Sequence, residues 1–464
     1  VWHDLRVKEV APELDSQLWL RLEEGRRIGE LARELDRDAV LIEYGAQAVE
    51  RTRALLEDRA VRVVHEATFA TGDWIARADI LRRVRGGWHL LEVKQGKAGD
   101  DVKDDYISDI AYTRFVAASC GLVVKRASLL LVSPDYRRGM PPERLFVELE
   151  VDEESVERAA AFAEEAAALA RALRAKRAPT AQLSSTCRGC SHFEERCIGR
   201  GLESTVLDLP RLSEKKLLDL GAQRIVALVD LPEDFGLTDR QARTRRVLLS
   251  GEAEDSGIAD ALRALAPPFL YLDFETLMTA LPLYDDVAPF EQIVTQYSLH
   301  RRESLDAEPT HREFLARADR DDRRALAEAL LRELGTRGTI FTYSSFEKTQ
   351  LRALAARFAD LAPHFAAVEA RLFDLKTVLE RHYEHPGFRG SYSIKTVLPA
   401  LVPELSYDEL EIQNGGGAVA AFFQLAEGAL KDREAERLRS ALLAYCERDT
   451  LAMVKLHEVL AEGR

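Results

Sequence analysis

FLYLDFETL, residues 269–277, is the stretch on which the fold of the chain's second half turns. Apart from Asp273, Glu275 and Thr276 it is apolar, which reads as a buried strand, and side chains two apart on a strand share a face. Two carboxylates in such a setting are costly unless a metal ion or an ion pair compensates them. The preceding APPF (266–269) marks a boundary, and QIVTQYSLH (292–300) and GTIFTYSSFEKTQL (338–351) supply further strands, the latter running into a helix with Glu347 just after Phe346. LLAYCERDTLAMVKL (442–456) lies in a long helix expected from about 433 to 459 and puts Tyr445 and Asp449 four apart on one face. Residues 267–464 therefore read as an α/β domain. The plainer alternative makes Asp273 and Glu275 strand-end caps, and Tyr445 and Asp449 an exposed helical face.

The front half has its own alternation. A helix is expected over 15–36, then strands at RVVHEATFA (62–70), DWIARADILRRV (73–84) and WHLLEVK (88–94), a helix over 104–119, strands at 126–133 and 144–151, and a long Ala/Glu/Arg-rich helix over 153–176. A turn at Arg85–Gly87 would pair two of these strands and bring Asp79 beside Glu92, with Lys94 on the same face as Glu92. Two carboxylates on adjacent strands suit Mg²⁺ or Mn²⁺, and a lysine beside them suits activation of water or stabilisation of phosphate charge. Alternating charges on a solvated strand face are the competing explanation. Glu66 is a further candidate ligand or a surface residue; Arg82, Arg83 and Arg85 are either phosphate contacts or a solvated turn.

STCRGCSHFEERC (185–197) gives Cys187, Cys190 and Cys197, a spacing that suggests a metal or cluster in a reduced compartment rather than a disulfide framework, since the chain has five cysteines. Cys120 and Cys446 are expected in the core. Residues 205–265 read as short helices broken by Gly and Pro, a connector rather than a helical DNA contact. The net charge of −14 argues against a protein that coats nucleic acid non-specifically, though a local basic groove can coexist with it. No apolar run approaches the ~20 residues of a membrane span, and no charged start precedes an apolar stretch, so a cytoplasmic protein without a membrane partner is expected.

The Asp79, then Glu92-x-Lys94 hairpin resembles the RecB-like branch of the PD-(D/E)xK nucleases. That resemblance implies a restriction-endonuclease-like fold over 1–200, with Asp79 and Glu92 as metal ligands and Lys94 catalytic. The helix DDYISDIAYTRFVAASCG (104–121) departs from it: where the family carries Gln and Tyr, this chain has Asp109 and Thr113, with Tyr112 adjacent. Cys187, Cys190 and Cys197 resemble the C-terminal cysteines of iron–sulfur RecB-like nucleases, which implies a 4Fe–4S cluster. The family's fourth cysteine lies near the N-terminus, and no cysteine precedes Cys120 here; with His192, zinc is the alternative.

The order Asp273-x-Glu275, Glu347, Tyr445-x3-Asp449 resembles the DnaQ-like, RNase-H-fold DEDD exonucleases in their tyrosine variant. It implies Asp273, Glu275, Glu347 and Asp449 as ligands of two metal ions, Tyr445 positioning water, and 3′-end degradation; the family's usual Asp is Glu347 here. LDFET, YSSFEK, GSYSIKTVLP and YCERDTLAM together resemble a bacterial uncharacterised family joining these two halves through a helical connector at 201–266. Lys395 is a candidate phosphate contact, Asn414 a helix cap and Asp374 a spare acid. The implied function is a metal-dependent nuclease acting on nucleic acid, with DNA expected, in repair or defence. The rivals are a nucleic-acid-binding scaffold with one or both sites inactive, and a zinc-stabilised interaction protein.

Overall fold

Two structural units share the chain in interleaved order: Val1–Pro179 with Met278–Gln292 form the first, and Thr180–Leu277 with Ile293–Arg464 the second. The computed structural model describes residues 2–3, 16–99 and 102–463; residue 15, the first of the expected opening helix, lies outside them. Both units are mixed α/β, and no helix among the described residues is long and apolar enough to cross a membrane.

The first unit contains α1 (Ser16–Arg33), β1 (Val40–Leu41), α2 (Ala48–Glu57), β2 (Val63–Thr71), β3 (Trp74–Val84), β4 (Gly87–Lys97), α3 (Asp104–Ser119), β5 (Val124–Val132), β6 (Phe146–Glu150) and α4 (Asp152–Arg174). Its sheet runs β1-β2-β3-β4-β5-β6, parallel at β1/β2 and β4/β5 and antiparallel elsewhere. The β3–β4 hairpin closes at Val84↔Gly87, as the RGG turn leads one to expect. Gly87 is required there: a Cβ would lie 2.4 Å from the Val123 carbonyl oxygen.

The residues feeding the main core change parity along two paired strands, from Val64 to Ala67 on β2 and from Ala78 to Leu81 on β3. A side-chain alternation of two permits this only where the pleat is interrupted. The interruption is at Glu66, which takes a left-handed φ of 60°. α1 covers the opposite face, where Ile28 and Ala32 pack with Ile80, Leu91, Leu130 and Val132. Ala280, from the segment 278–292, joins this layer, and its backbone N–H donates to Glu24 Oε1 at 2.6 Å.

The second unit begins with the cysteine loop, which includes α5 (Phe193–Arg196), and continues through α6 (Glu214–Ala222), α7 (Asp239–Ser250), β7 (Glu254–Asp255) and α8 (Ile258–Arg263). There follow β8 (Phe269–Leu277), β9 (Ile293–Arg302), β10 (Thr310–Leu315), α9 (Arg323–Leu334), β11 (Thr339–Thr342), α10 (Phe346–Arg357), α11 (Ala362–Glu369), β12 (Leu372–Asp374), α12 (Leu375–His382), β13 (Tyr383–Glu384), α13 (Ile394–Leu401), α14 (Gly415–Glu427) and α15 (Asp432–Glu462). The main sheet runs β10-β9-β8-β11-β12; β8, β11 and β12 are mutually parallel, and β9 is antiparallel to both its neighbours.

The expected breaks at 200 and 266 are therefore displaced. Phe193 of the cysteine loop packs into one core with Leu183, Leu207, Leu217 and Leu228, so the loop belongs with the connector. The connector is tied in turn to the last domain: β7 pairs with β13, and Thr244 Oγ1 donates to buried Glu384 at 2.9 Å.

β8 has apolar residues on both faces because helices cover both. Leu270, Leu272 and Phe274 pack with Leu326, Leu330, Leu351 and Leu354 of α9 and α10. The alternate residues face α15: Tyr271 Oη lies 2.8 Å from His457 Nδ1. β9 holds the same helix, with Ser298 Oγ 2.7 Å and His300 Nδ1 2.8 Å from Thr450 Oγ1, and Gln296 Nε2 donating to the Leu442 carbonyl at 3.0 Å. These contacts set the rotation of α15, and hence where Tyr445 and Asp449 point.

Candidate active sites

Asp273, Glu275 and Asp449 each offer a carboxylate oxygen, and the three oxygens lie within 4.8 Å of one another, the one group of three potential metal ligands among the described residues. Asp273 and Glu275 sit on the α15 face of β8, towards its carboxyl end, where open α/β sheets place their ligands. The β8/β9 register shifts just after Glu275, a bulge that ends regular pairing beside the site. Burial is the main reason that both the Asp273 and Glu275 carboxyls lie well above the usual range, with Asp449 adding to the effect. Asp449, 8 % exposed, is pushed up to about 6 by burial, against the hydrogen bond it accepts from Tyr407.

Glu347 lies on the first turn of α10, just beyond the carboxyl end of β11. It is 3 % exposed, its carboxyl is pushed up to about 7 by burial, and its Oε2 has no hydrogen-bond partner. A buried carboxylate oxygen left unpaired beside three other carboxyl groups is costly unless the group is protonated or a cation compensates it. Glu347 lies outside the group of three, yet near enough to raise Asp273. Tyr445 stands one helical turn before Asp449 and helps to lower its carboxyl, and burial raises its own phenol. Lys395 Nζ sits 5.5 Å and 5.4 Å from the ring centroids of Tyr407 and Tyr445, donates to the Gln413 carbonyl at 2.6 Å, and draws down both Glu275 and Asp449.

Tyr407 was not evident from sequence. SYDEL has no periodicity that singles it out, and its partner is 42 residues away. Cys446 is buried as expected, but its Sγ lies 3.5 Å from Asp273 Oδ2, which makes it part of the site wall. Asn414 caps α14 through Gly417 N–H at 2.9 Å, and Asp374 caps α12 through Thr377.

In the first unit the Val93 N–H donates to Asp79 Oδ2 at 2.7 Å, which brings Asp79 next to Glu92. Burial raises Asp79 to about 6; burial, then Asp79, raises Glu92 to about 8. Lys94 Nζ lies 3.1 Å from Glu92 Oε1 and 2.6 Å from Asp109 Oδ2. Burial pulls the Lys94 ammonium down, but Glu92 and Asp109 outweigh it and hold it above its ordinary value. Asp109, where the resemblance implies Gln, thus neutralises the lysine. Glu66 pairs with Arg33 at 2.9 Å and Arg77 at 3.0 Å, and with Asp79 lines a cavity of about 230 Å³ beneath Gly25 and Gly29 of α1.

Two expectations are corrected here. Arg82 pairs with Asp36 at 3.0 Å, and Arg83 donates to the Leu56, Asp58 and Val61 carbonyls and stacks over Trp88, so both hold the fold; Arg85 alone is exposed. Cys120 is exposed, because α3 ends there. Cys187, Cys190 and Cys197 are free thiols, and among the described residues they do not converge on a metal-holding group.

Residues 270–393 match the profile of a domain of unknown function (DUF2779). The uncharacterized protein MG366 homolog of Mycoplasma pneumoniae is 28% identical over 209 residues, covering 40% of this chain and 31% of that protein. The uncharacterized protein MG366 of Mycoplasma genitalium is 25% identical over 206 residues, with the same 40% and 31% coverage. The chain thus spans about a third of the length of these relatives. No solved structure matches it at a significant level.

Proposed function

We propose that the protein is a metal-dependent nuclease whose principal site is the carboxylate group of the second unit, hydrolysing phosphodiester bonds of nucleic acid, with DNA the expected substrate. One observation carries this reading: Asp273, Glu275 and Asp449 converge within 4.8 Å in a buried setting, with an unpaired Glu347 oxygen close by. Oxygen-only donors of this kind suit Mg²⁺ or Mn²⁺. When bound there, such ions supply activation of water and neutralisation of charge on the phosphate.

The chain's own residues do the rest. Tyr445, one helical turn from Asp449, orients the attacking water, and the Lys395 ammonium faces the phosphate from the side of the two tyrosine rings. The sheet order, with a central first strand, an antiparallel hairpin on one side and two parallel strands on the other, supports the RNase-H-like reading and, with it, trimming from a 3′ end.

For the first unit, the Asp79–Glu92–Lys94 hairpin supports the PD-(D/E)xK reading. The Lys94–Asp109 pair, and the lack of a third converging donor among the described residues, favour a weak or binding-only site there. The three cysteines, lacking a completed donor set, enter no step; an iron–sulfur cluster or zinc at that loop is a separate proposal, as are cytoplasmic location and a role in repair or defence.

The test is cleavage of end-labelled single- and double-stranded DNA and RNA with Mn²⁺ or Mg²⁺, comparing wild type with Asp273→Ala, Glu92→Ala and the double variant. Loss of cleavage in Asp273→Ala supports the principal site. Intact substrates with wild type in both metals would reject the nuclease reading in favour of a scaffold.

A further inference from the structure

Within the second unit, a pocket of about 580 Å³ is lined by five cationic side chains, Arg188, Arg211, Arg240, Lys376 and Arg389, against two carboxylates, Asp208 and Glu380. In a protein of net charge −14 this is a local reversal of sign. Arg389 pairs with Asp208 at 3.1 Å and Arg240 with Glu380 at 3.2 Å, while Arg188 donates to the Leu207 and Leu209 carbonyls. Arg211 and Lys376 have no such partner among the described residues.

The backbone is held out of its ordinary range to make this pocket. Arg211 has a φ of 52° and Arg389 of 44°, two of only six non-glycine residues described with positive φ. Beside Arg389, Gly390 has a φ of 72° and a Cβ there would lie 2.0 Å from the Asp208 carbonyl oxygen, so that loop is pressed against its neighbour. Strained backbone of this sort gathers at functional sites, where the surrounding structure holds it in place. Two buried polar atoms of the pocket wall, Tyr343 Oη and Arg240 Nε, also have no hydrogen-bond partner.

The pocket and the acidic group draw on neighbouring stretches of chain. Tyr343 and Glu347 are four residues apart in the turn from β11 into α10, and Lys376 lies on the first turn of α12, which Asp374 caps. The Arg211 guanidinium and the Lys376 ammonium, which have no carboxylate partner among the described residues, suit phosphate oxygens.

We propose that this pocket binds the phosphodiester backbone of a single-stranded segment of nucleic acid. That the bound strand is one the protein cuts rests on the nuclease reading; the binding itself does not.

The experiment is fluorescence anisotropy of labelled 4- and 16-nucleotide single strands in EDTA, across a salt series, with wild type and the Arg211→Ala/Lys376→Ala variant. Neither residue has a carboxylate partner to lose, and a thermal melt verifies that the variant folds. The expected result is a roughly 10-fold weaker 16-mer complex at fixed salt and a log–log salt slope shallower by about 1–2. Identical affinity and slope in the two proteins would overturn the proposal. So would a pocket that takes a mononucleotide or inorganic phosphate, seen as variant-sensitive binding of those probes with equal 16-mer affinity. If wild type binds the 16-mer through these residues but leaves it and the other substrates uncut in both Mn²⁺ and Mg²⁺, the pocket stands and the nuclease reading falls.

Discussion

The Tyr407 hydroxyl donates a hydrogen bond to Asp449 Oδ1, so that a residue from the loop after α13 governs a carboxylate on α15. That bond lowers the Asp449 carboxyl against the burial that raises it. Tyr407→Phe removes the donor and keeps the ring. We expect kcat to fall about 10-fold or more, from the loss of a bond to a charged group. The acidic limb of the rate–pH profile should move to higher pH. A profile unchanged in shape would mean that Asp449 does not act through its ionised form.

How far the sequence could have led to this point depends on separation along the chain. Asp273 and Glu275 were readable because strand periodicity puts both on one face, and Tyr445 and Asp449 because helical periodicity does the same. Tyr407 and the Lys94–Asp109 pair were not, since each contact joins two elements through tertiary packing. The parity change at Glu66 was equally hidden: an unbroken alternation is the default for a strand, and only the folded sheet shows the left-handed residue that interrupts it.

Metal binding should follow pH with a definite sign. Burial holds Glu347 near 7 and Asp449 near 6 in the metal-free fold, above their ordinary values. Their protonated forms favour folding fully below about pH 4, and that contribution is lost as pH rises through 6 to 7. A divalent cation needs the ionised forms, so the rise in Tm produced by Mn²⁺ should grow between about pH 5 and 8. In Asp273→Asn the shift should be small throughout. A wild-type shift that is equal at both pH values would contradict this assignment.

Lys94 provides the corresponding test in the first unit. If that unit cuts, Lys94→Ala should remove its products by a factor of about 100 or more. Asp109→Asn removes a charge that holds the Lys94 ammonium up, so a rate limited by deprotonated Lys94 should begin its rise at lower pH. If neither variant changes the product pattern while Asp273→Asn abolishes cleavage, the first unit is a binding module.

Glu24 anchors the segment 278–292 by accepting the Ala280 N–H at 2.6 Å in a buried setting. Glu24→Ala leaves that donor unpaired, and a loss of roughly 1–3 kcal/mol is expected. Urea unfolding followed by circular dichroism would measure it, and an unchanged midpoint would show that apolar packing alone holds the segment.

The interleaved order of the two units also bears on how the protein is made. Chains generally fold as they emerge, the N-terminal part first. Here the layer formed by Ile28, Val132 and Leu145 receives Ala280 from a segment synthesised about 100 residues after position 179. A nascent chain that has emerged only that far carries an unfinished first unit with an apolar face open to water. Fragments cut at 200 or 266 keep that face permanently uncovered, and are expected to aggregate.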